Sequence, residues 1–328
     1  MTIDATKLSS GLAEVRARHA LTGAGLDATV ALERASSVTN EVWLTATHAV
    51  RINRRLDQRL RREALLAPHL PAEIGYPTVV GYGRGTGFDW LVEERRPGRV
   101  LARAWPTMSP SDRRTAVRQL AFALRALHAT PAPIDLPPLV DPPQPLGPPG
   151  DAAQPTLALL DKLAGREHAD QARLAQLRLL IAIAEPTLTR PSSTLIHGDL
   201  TFENVLWDGR TVTCVLDFEW SRPAAPELEL DVLLRFCAYP SLHVAPDYAA
   251  VTRAIDYADV PFWLREDHPG PFQGAGVADR LRAYAIGFEA RLAVADPLVV
   301  PWHRAPRDHP LHRLALLADG HSHLDHLA

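Results

Sequence analysis

Lysine is almost missing from this chain. Of its 35 Lys and Arg residues only Lys7 and Lys162 are lysines, so any cation needed in mid-chain falls to arginine. Cysteine is equally scarce. Cys214 and Cys237 both lie in apolar context, which argues against the disulfide framework of a small secreted domain. No run of about 18 apolar residues occurs, the length a membrane-spanning helix requires, and the opening stretch lacks the apolar core of a signal peptide. Net charge is −3, which argues against a protein built mainly to neutralise phosphate backbones. With 46% hydrophobic and 22% charged residues over 328 positions, the composition is that of a folded chain rather than a disordered one. The expectation is a soluble cytoplasmic protein of one large domain or two, a monomer or homodimer, with neither membrane nor nucleic acid as partner.

What is present has an order. In the first 20 residues Leu8, Leu12 and Val15 recur at helical spacing. Between residues 28 and 53, ATVALER, NEVWLTAT and HAVRIN alternate and predict three antiparallel strands. LDQRLRREALLA (56–67) predicts a helix that Pro68 closes, and PTVVGYG (77–83) and FDWLVEE (88–94) predict two further strands. The first 95 residues thus read as a five-stranded sheet with one inserted helix. Beyond them the chain turns helical, with Val117, Leu120, Leu124 and Leu127 on one amphipathic face. Residues 131–155 carry ten prolines and read as an extended insertion, because the helical pattern resumes at once over 156–184.

Chemistry concentrates in residues 194–219, TLIHGDLTFENVLWDGRTVTCVLDFE. Strand alternation places Val212, Cys214 and Leu216 on one side, and Thr213, Val215 and Asp217 on the other. An aspartate at the end of a buried strand is costly unless it is paired or binds a cation. A hard cation such as Mg²⁺ takes a carboxylate, an amide oxygen and substrate phosphates. Asp217 and Asn204 supply that pair and leave Asp199 free to handle a proton.

HGDLTFENVL followed by LDFE resembles the catalytic loop and metal-binding motif of the aminoglycoside phosphotransferase/choline kinase family, small-molecule kinases akin to protein kinases. The resemblance spans residues 25–240. It implies a two-lobed kinase-like α+β fold, with an N-terminal nucleotide-binding lobe (1–95, including the leading helix) and a C-terminal catalytic and acceptor-binding helical lobe (96–328). It further implies Mg²⁺-dependent transfer of the γ-phosphoryl group of ATP or GTP to a hydroxyl of an antibiotic or aminosugar. A choline-like or sugar metabolite is the alternative acceptor, and a nucleotide-binding pseudokinase the alternative activity. Position by position, Asp199 would be the proton acceptor and His197 a brace for the loop. Asn204 and Asp217 would be the metal ligands, and Asp231 would tie the loop from below. Arg51 in HAVRIN takes the place of the family's usual lysine, with Glu63 as its partner. The phosphate-covering turn ERASSVTNEV has no glycine and would use Ser36, Ser37 and Thr39 with Asn40, while LVEERRPG, with Glu94, falls at the interlobe hinge.

Further features have blander readings beside functional ones. The acids Glu219, Glu227, Glu229, Glu266 and Asp267 would attract a cationic acceptor or simply sit on the surface. RINRRLDQRLRRE (51–63) reads as a solvated helix face rather than a nucleic-acid site. His309, His312, His321, His323 and His326 read as a polar, partly mobile terminus rather than a zinc site, and both cysteines read as core.

Overall fold

The computed structural model describes residues 10–325, apart from 38–39, 134, 141, 149 and 189–193. Helix α1 (Ser10–Gly23) leads into strands β1 (Glu33–Ala35), β2 (Glu41–Leu44) and β3 (His48–Asn53), helix α2 (Arg59–Leu66), and strands β4 (Val79–Gly85) and β5 (Phe88–Glu94). The five strands form one antiparallel sheet in the order β1-β2-β3-β5-β4. The first strand is shorter than its alternation predicts. Arg18 of α1 donates to the backbone carbonyls of Ala28 and Val30, so two acceptors of that stretch are turned to the helix rather than to a neighbouring strand.

Pairing register decides what each face of the sheet carries. Ala49 lies opposite Glu93 and Arg51 opposite Leu91 and Val42, and these residues share one face because side chains alternate along a strand. Val50, Ile52, Trp90 and Val92 point the other way and pack under α1. The helix covers them with Ala13, Ala17, Ala20 and Leu21, not with the face expected from sequence. Leu12 and Val15 are 47% and 61% exposed, and Leu8 lies outside the described residues. A narrow alanine stripe lets the helix lie close to two tryptophans, which a leucine face would hold off. Gly83 serves the same packing, since a Cβ there would stand 2.3 Å from the Trp90 ring.

Past the sheet come β6 (Arg99–Val100), α3 (Leu101–Ala104), α4 (Pro110–Ala129), α5 (Gln154–Ala164) and α6 (Gln171–Leu188). Ser109 caps α4 by accepting from the Asp112 amide at 3.1 Å, and Val117, Leu120, Leu124 and Leu127 are buried as predicted. The described proline-rich residues form no strand of a sheet and no helix before α5, apart from a single bridge between Pro131 and Thr194. Strands β7 (Leu195–Ile196), β8 (Val205–Trp207), β9 (Val212–Val215) and β10 (Arg222–Pro223) follow, then helices α7 (Glu227–Ala238), α8 (Val260–Asp267), α9 (Val277–Ala295) and α10 (Pro310–Ala318).

The C-terminal stretch corrects the reading of a polar terminus. Leu311, Leu314, Ala315, Leu317 and Ala318 of α10, with Leu324 beyond it, are buried against α6 and α9. His309 caps α10, its Nδ1 accepting from the Leu311 amide at 3.1 Å. His326 lies outside the described residues. The arginine run needs the same correction: Arg51, Arg59 and Arg62 are buried and tie α2 to the segment after β9. Arg59 donates to Glu219 at 2.6 Å and Arg62 to the Ser221 carbonyl at 2.8 Å. Among the described residues no helix is long and apolar enough to cross a membrane.

Candidate active site

The loop between β7 and β8 is organised by His197, which is fully buried. One ring nitrogen, Nε2, lies 2.7 Å from the Leu216 carbonyl, and the other, Nδ1, accepts from the Asp199 amide at 3.3 Å. This fixes the tautomer with the proton on Nε2 and leaves neither nitrogen free for chemistry. The imidazole therefore links the loop to the chain leaving β9. From below, the Glu229 carboxylate accepts from the His197 amide at 2.5 Å and from the Gly198 amide. Asn204 donates its amide N–H to the Asp199 carbonyl at 3.0 Å, which leaves its Oδ1 as an available acceptor. Burial first, and then the charge of Asp217, pushes the Asp199 carboxyl up to about 6. Such a group is still largely ionised at neutral pH, yet far more basic than a solvated aspartate.

Asp217 does not continue the strand. Strand β9 stops at Val215, and Asp217 is left-handed, φ 67° and ψ 57°, a conformation that costs most residues about 1–2 kcal/mol and that aspartate tolerates better than most. The turn aims its carboxylate at Arg51, with which it pairs. Arg51 is 6% exposed. Its fork divides between two acids, one arm reaching Asp217 and the other Glu63 at 2.5 Å. The pairing with Glu63 is the one the sequence suggests, and Asp217 is a second partner. Glu63 uses its second oxygen to accept from the Phe218 amide and the Tyr76 hydroxyl, both at 2.8 Å. Beside this pair Glu219 accepts from Arg59 and, at 3.0 Å, from the Asn40 side chain. Asn40 therefore ties the β1–β2 turn to the turn that carries Asp217.

Of these groups Asn40, Arg51, Asp199, Asn204 and Asp217 line one cleft of about 610 Å³ between the sheet and the helical part. A model of the phosphotransferase enzyme family matches residues 31–263, which contain the sheet, the loop of Asp199 and the turn of Asp217. The chain belongs to that family. Its fold is the family's two-lobed, kinase-like α+β architecture. The aminoglycoside phosphotransferase APH(4)-Ia superposes with a TM-score of 0.61 at 15% identity, covering 94% of this chain and 97% of that one. Aminoglycoside 2'-phosphotransferase-IIIa, in its GDP complex, gives 0.59 at 16% identity over 94% and 97%. ADP-bound APH(2'')-Ib gives 0.56 at 14% identity over 89% and 94%. No curated protein matches the sequence.

In this phosphotransferase the cleft has distinct ends. Val42, Leu44 and Ala49 above, with Leu206 and Leu216 below, make an apolar slot closed by residues 93–100. Glu94 lies at its rim with an exposed side chain, its amide donating to the Thr78 carbonyl at 2.9 Å. Ser36 and Ser37 also line the cleft, and both hydroxyls have protein partners, Asp247 and the Asn40 carbonyl. Thr39 lies outside the described residues. Asn204 and Asp217 are oxygen donors on facing turns, an amide and a carboxylate, a set suited to a hard divalent cation that also takes phosphate oxygens. Among the described residues no group of three or more His, Cys, Asp or Glu gathers as a metal site.

Two expectations fail on geometry. Asp231 is buried against Arg235 at 2.6 Å, and Glu229, not Asp231, is the acid that holds the loop. The five acids expected to draw a cationic acceptor are all engaged. Glu219 and Glu229 are interior. Glu227 pairs with Arg280, and Glu266 and Asp267 pair with Arg114. Sequence reasoning missed Glu203, a carboxyl of the loop itself that lines the cleft. One of its oxygens is buried without a partner, and burial pushes it up to about 7. The nearby Arg103 is diverted into two hydrogen bonds to Asp247, at 2.7 and 2.9 Å. Its one local signal was the position next to Asn204.

Proposed function

We propose that the protein is a Mg²⁺-dependent small-molecule kinase that moves the γ-phosphoryl group of a nucleoside triphosphate to a hydroxyl of an antibiotic or aminosugar. Residues 1–95 would hold the nucleotide, and residues 96–328 the acceptor. The observation that carries this reading is the convergence of Asp199, Asn204, Asp217 and Arg51 on one cleft with an apolar slot beside it. The slot suits a flat base. Arg51, braced by Glu63, suits the phosphates. Asn204 and Asp217 would hold Mg²⁺, which when bound neutralises phosphate charge. Asp199, made more basic by burial, would take the hydroxyl proton as the acceptor oxygen attacks, and His197 and Glu229 would keep it in place. Positioning and electrostatics would do most of the work, as is general for phosphoryl transfer.

The acceptor class draws on two observations. Glu203, which lines the same cleft as Asp199 and has one buried oxygen without a protein partner, offers an anionic or hydrogen-bonding contact for an amine or hydroxyl. Among the similar structures, one holds ADP with hygromycin B and another GDP with kanamycin. The test is nucleotide turnover against a panel of aminoglycosides, aminosugars, choline and plain sugars, with the phosphorylated product identified by mass. Acceptor-dependent turnover that vanishes in Asp199→Asn supports the reading. Nucleotide binding with no turnover on any acceptor would make the protein a pseudokinase instead.

A further inference from the structure

At the inner end of the apolar slot stands a carboxyl group that phosphoryl transfer does not use. Glu93, near the end of β5, is opposite Ala49 in the ladder and on the same face as Arg51, lines the cleft and is 3% exposed. A buried acid against a base-sized apolar slot is expensive unless it has a partner, and its partners within the protein are incomplete. Its Oε2 lies 3.2 Å from the Tyr76 hydroxyl, which is also 2.8 Å from Glu63. One phenolic proton serves one acid well, and the shorter contact is to Glu63. Among the described residues no hydrogen bond reaches the other oxygen of Glu93, Oε1. Burial, with Glu63 and Asp217 adding to it, holds Glu93 well above the ordinary carboxylate range although Arg51 opposes them. A proton carried by Glu93 belongs on Oε2, where Tyr76 accepts it. In either protonation state Oε1 is then a hydrogen-bond acceptor turned to the slot.

We propose that Glu93 selects the purine, its cleft-facing oxygen accepting the 6-amino N–H of adenine and repelling the 6-oxo group of guanine, so that ATP is the preferred phosphoryl donor. This rests on the reading of the cleft as the nucleotide site. With the phosphates at Arg51, the sugar end of the base faces outward. The atoms farthest across a purine from its sugar bond are N1, C6 and the 6-substituent, so these reach deepest. Adenine brings a donor to that place and guanine an oxygen. Guanine's own donors, N1–H and the 2-amino group, form a pair that needs both oxygens of one carboxylate, and Tyr76 already occupies the second.

The test is direct binding of ATP, GTP and ITP by calorimetric titration with Mg²⁺ present, on the wild type, Glu93→Gln and Glu93→Met, with folding checked by circular dichroism. ITP carries the 6-oxo group without the 2-amino group. The wild type should bind ATP about 10–100-fold more tightly than GTP or ITP, the range of one hydrogen bond to a charged or buried acid. Glu93→Gln, which can turn its NH₂ to a 6-oxo group, should gain affinity for GTP and ITP and narrow the gap at least about tenfold. Glu93→Met should lose ATP affinity alone. Equal affinity for ATP and GTP in the wild type would overturn the proposal. So would an equal loss of both in the two variants, which would make Glu93 only a support for Tyr76 and Glu63. A wild-type preference for GTP over ITP would overturn it in favour of the guanine edge. If none of the three nucleotides binds, the nucleotide reading of the cleft itself falls, and Glu93 with it.

Discussion

Arg51 does two things that a lysine would do differently. Its planar fork spans Glu63 and Asp217 at once, whereas an ammonium is a point with three donors. Arg51→Lys should therefore keep part of the activity, while Arg51→Met should raise the apparent nucleotide KM and lower kcat together. The methionine variant should also lose about 3–5 kcal/mol of stability in urea unfolding, because Glu63 stays buried with its cation gone. Unchanged kinetics in Arg51→Met would remove Arg51 from the phosphates. At the base, Asp199→Asn should lower kcat by about 10²–10⁴-fold with nucleotide affinity nearly intact. Wild-type turnover in that variant would show that another group takes the proton.

Elements, more than single residues, decide whether that base is in place. Glu229 reaches from α7 to two amides of the loop. Glu229→Ala should leave the protein folded and lower kcat by about 10-fold or more, since a misplacement near 1 Å can cost about 10²-fold. A kcat within twofold of wild type would mean the loop holds itself. Helix α10 is core, so Leu314→Ala should cost about 2–5 kcal/mol in a denaturant titration, where a mobile terminus would show almost nothing. How legible these elements were follows from how local their causes are. HAVRIN and FDWLVEE announced themselves because Val50 and Ile52, and Phe88, Trp90 and Val92, recur with a period of two, although both faces of each strand end up buried. The order His197, Asp199, Asn204 was legible because one loop carries it. The covering face of α1 was not, because alanine carries little hydrophobic weight and only the partner sheet shows why a thin stripe fits. Nor was the division of labour in ELELD, where Glu229 and Asp231 look alike until α7 is packed. The arginine run misled for the same reason, as the partners of Arg59 and Arg62 beyond β9 lie about 160 residues away.

Over the whole molecule, burial of neutral histidines is one part of the response to acid, opposed by the carboxyls of Asp199, Glu203 and Glu219, which burial pushes up. Burial pushes His128 and His243 down to about 3 and His268 to about 4, helped at His128 by His268, at His243 by Arg235 and Arg313, and at His268 by Arg125. In the unfolded chain these rings take up protons near pH 6.5, and in the folded chain they do so only much lower. Their contribution to stability is thus fully present above about pH 6.5 and is lost as pH falls toward the folded values. By pH 5, His128 and His243 should each cost about 1–2 kcal/mol, and the half-buried His268 less. Between pH 7 and pH 5 the Tm of the double variant His128→Leu, His268→Leu should change more favourably than that of the wild type, because it lacks two of these rings and keeps the raised carboxyls of Asp199 and Glu203, which act in the opposite sense. Parallel Tm profiles for the two proteins would show that these histidines contribute nothing. The scarcity of lysine also governs how this cleft meets reactive reagents. Acyl-phosphate analogues of ATP pass their label to a primary amine beside the phosphates, and a guanidinium, always protonated, does not take it. Lys162 sits exposed on α5, and among the described residues no lysine lines the cleft. The wild-type cleft should come through such a reagent unlabelled. Arg51→Lys should acquire a label at residue 51 that excess ATP suppresses, read by peptide mass spectrometry. A label there that ATP leaves untouched would put the new amine away from the phosphates.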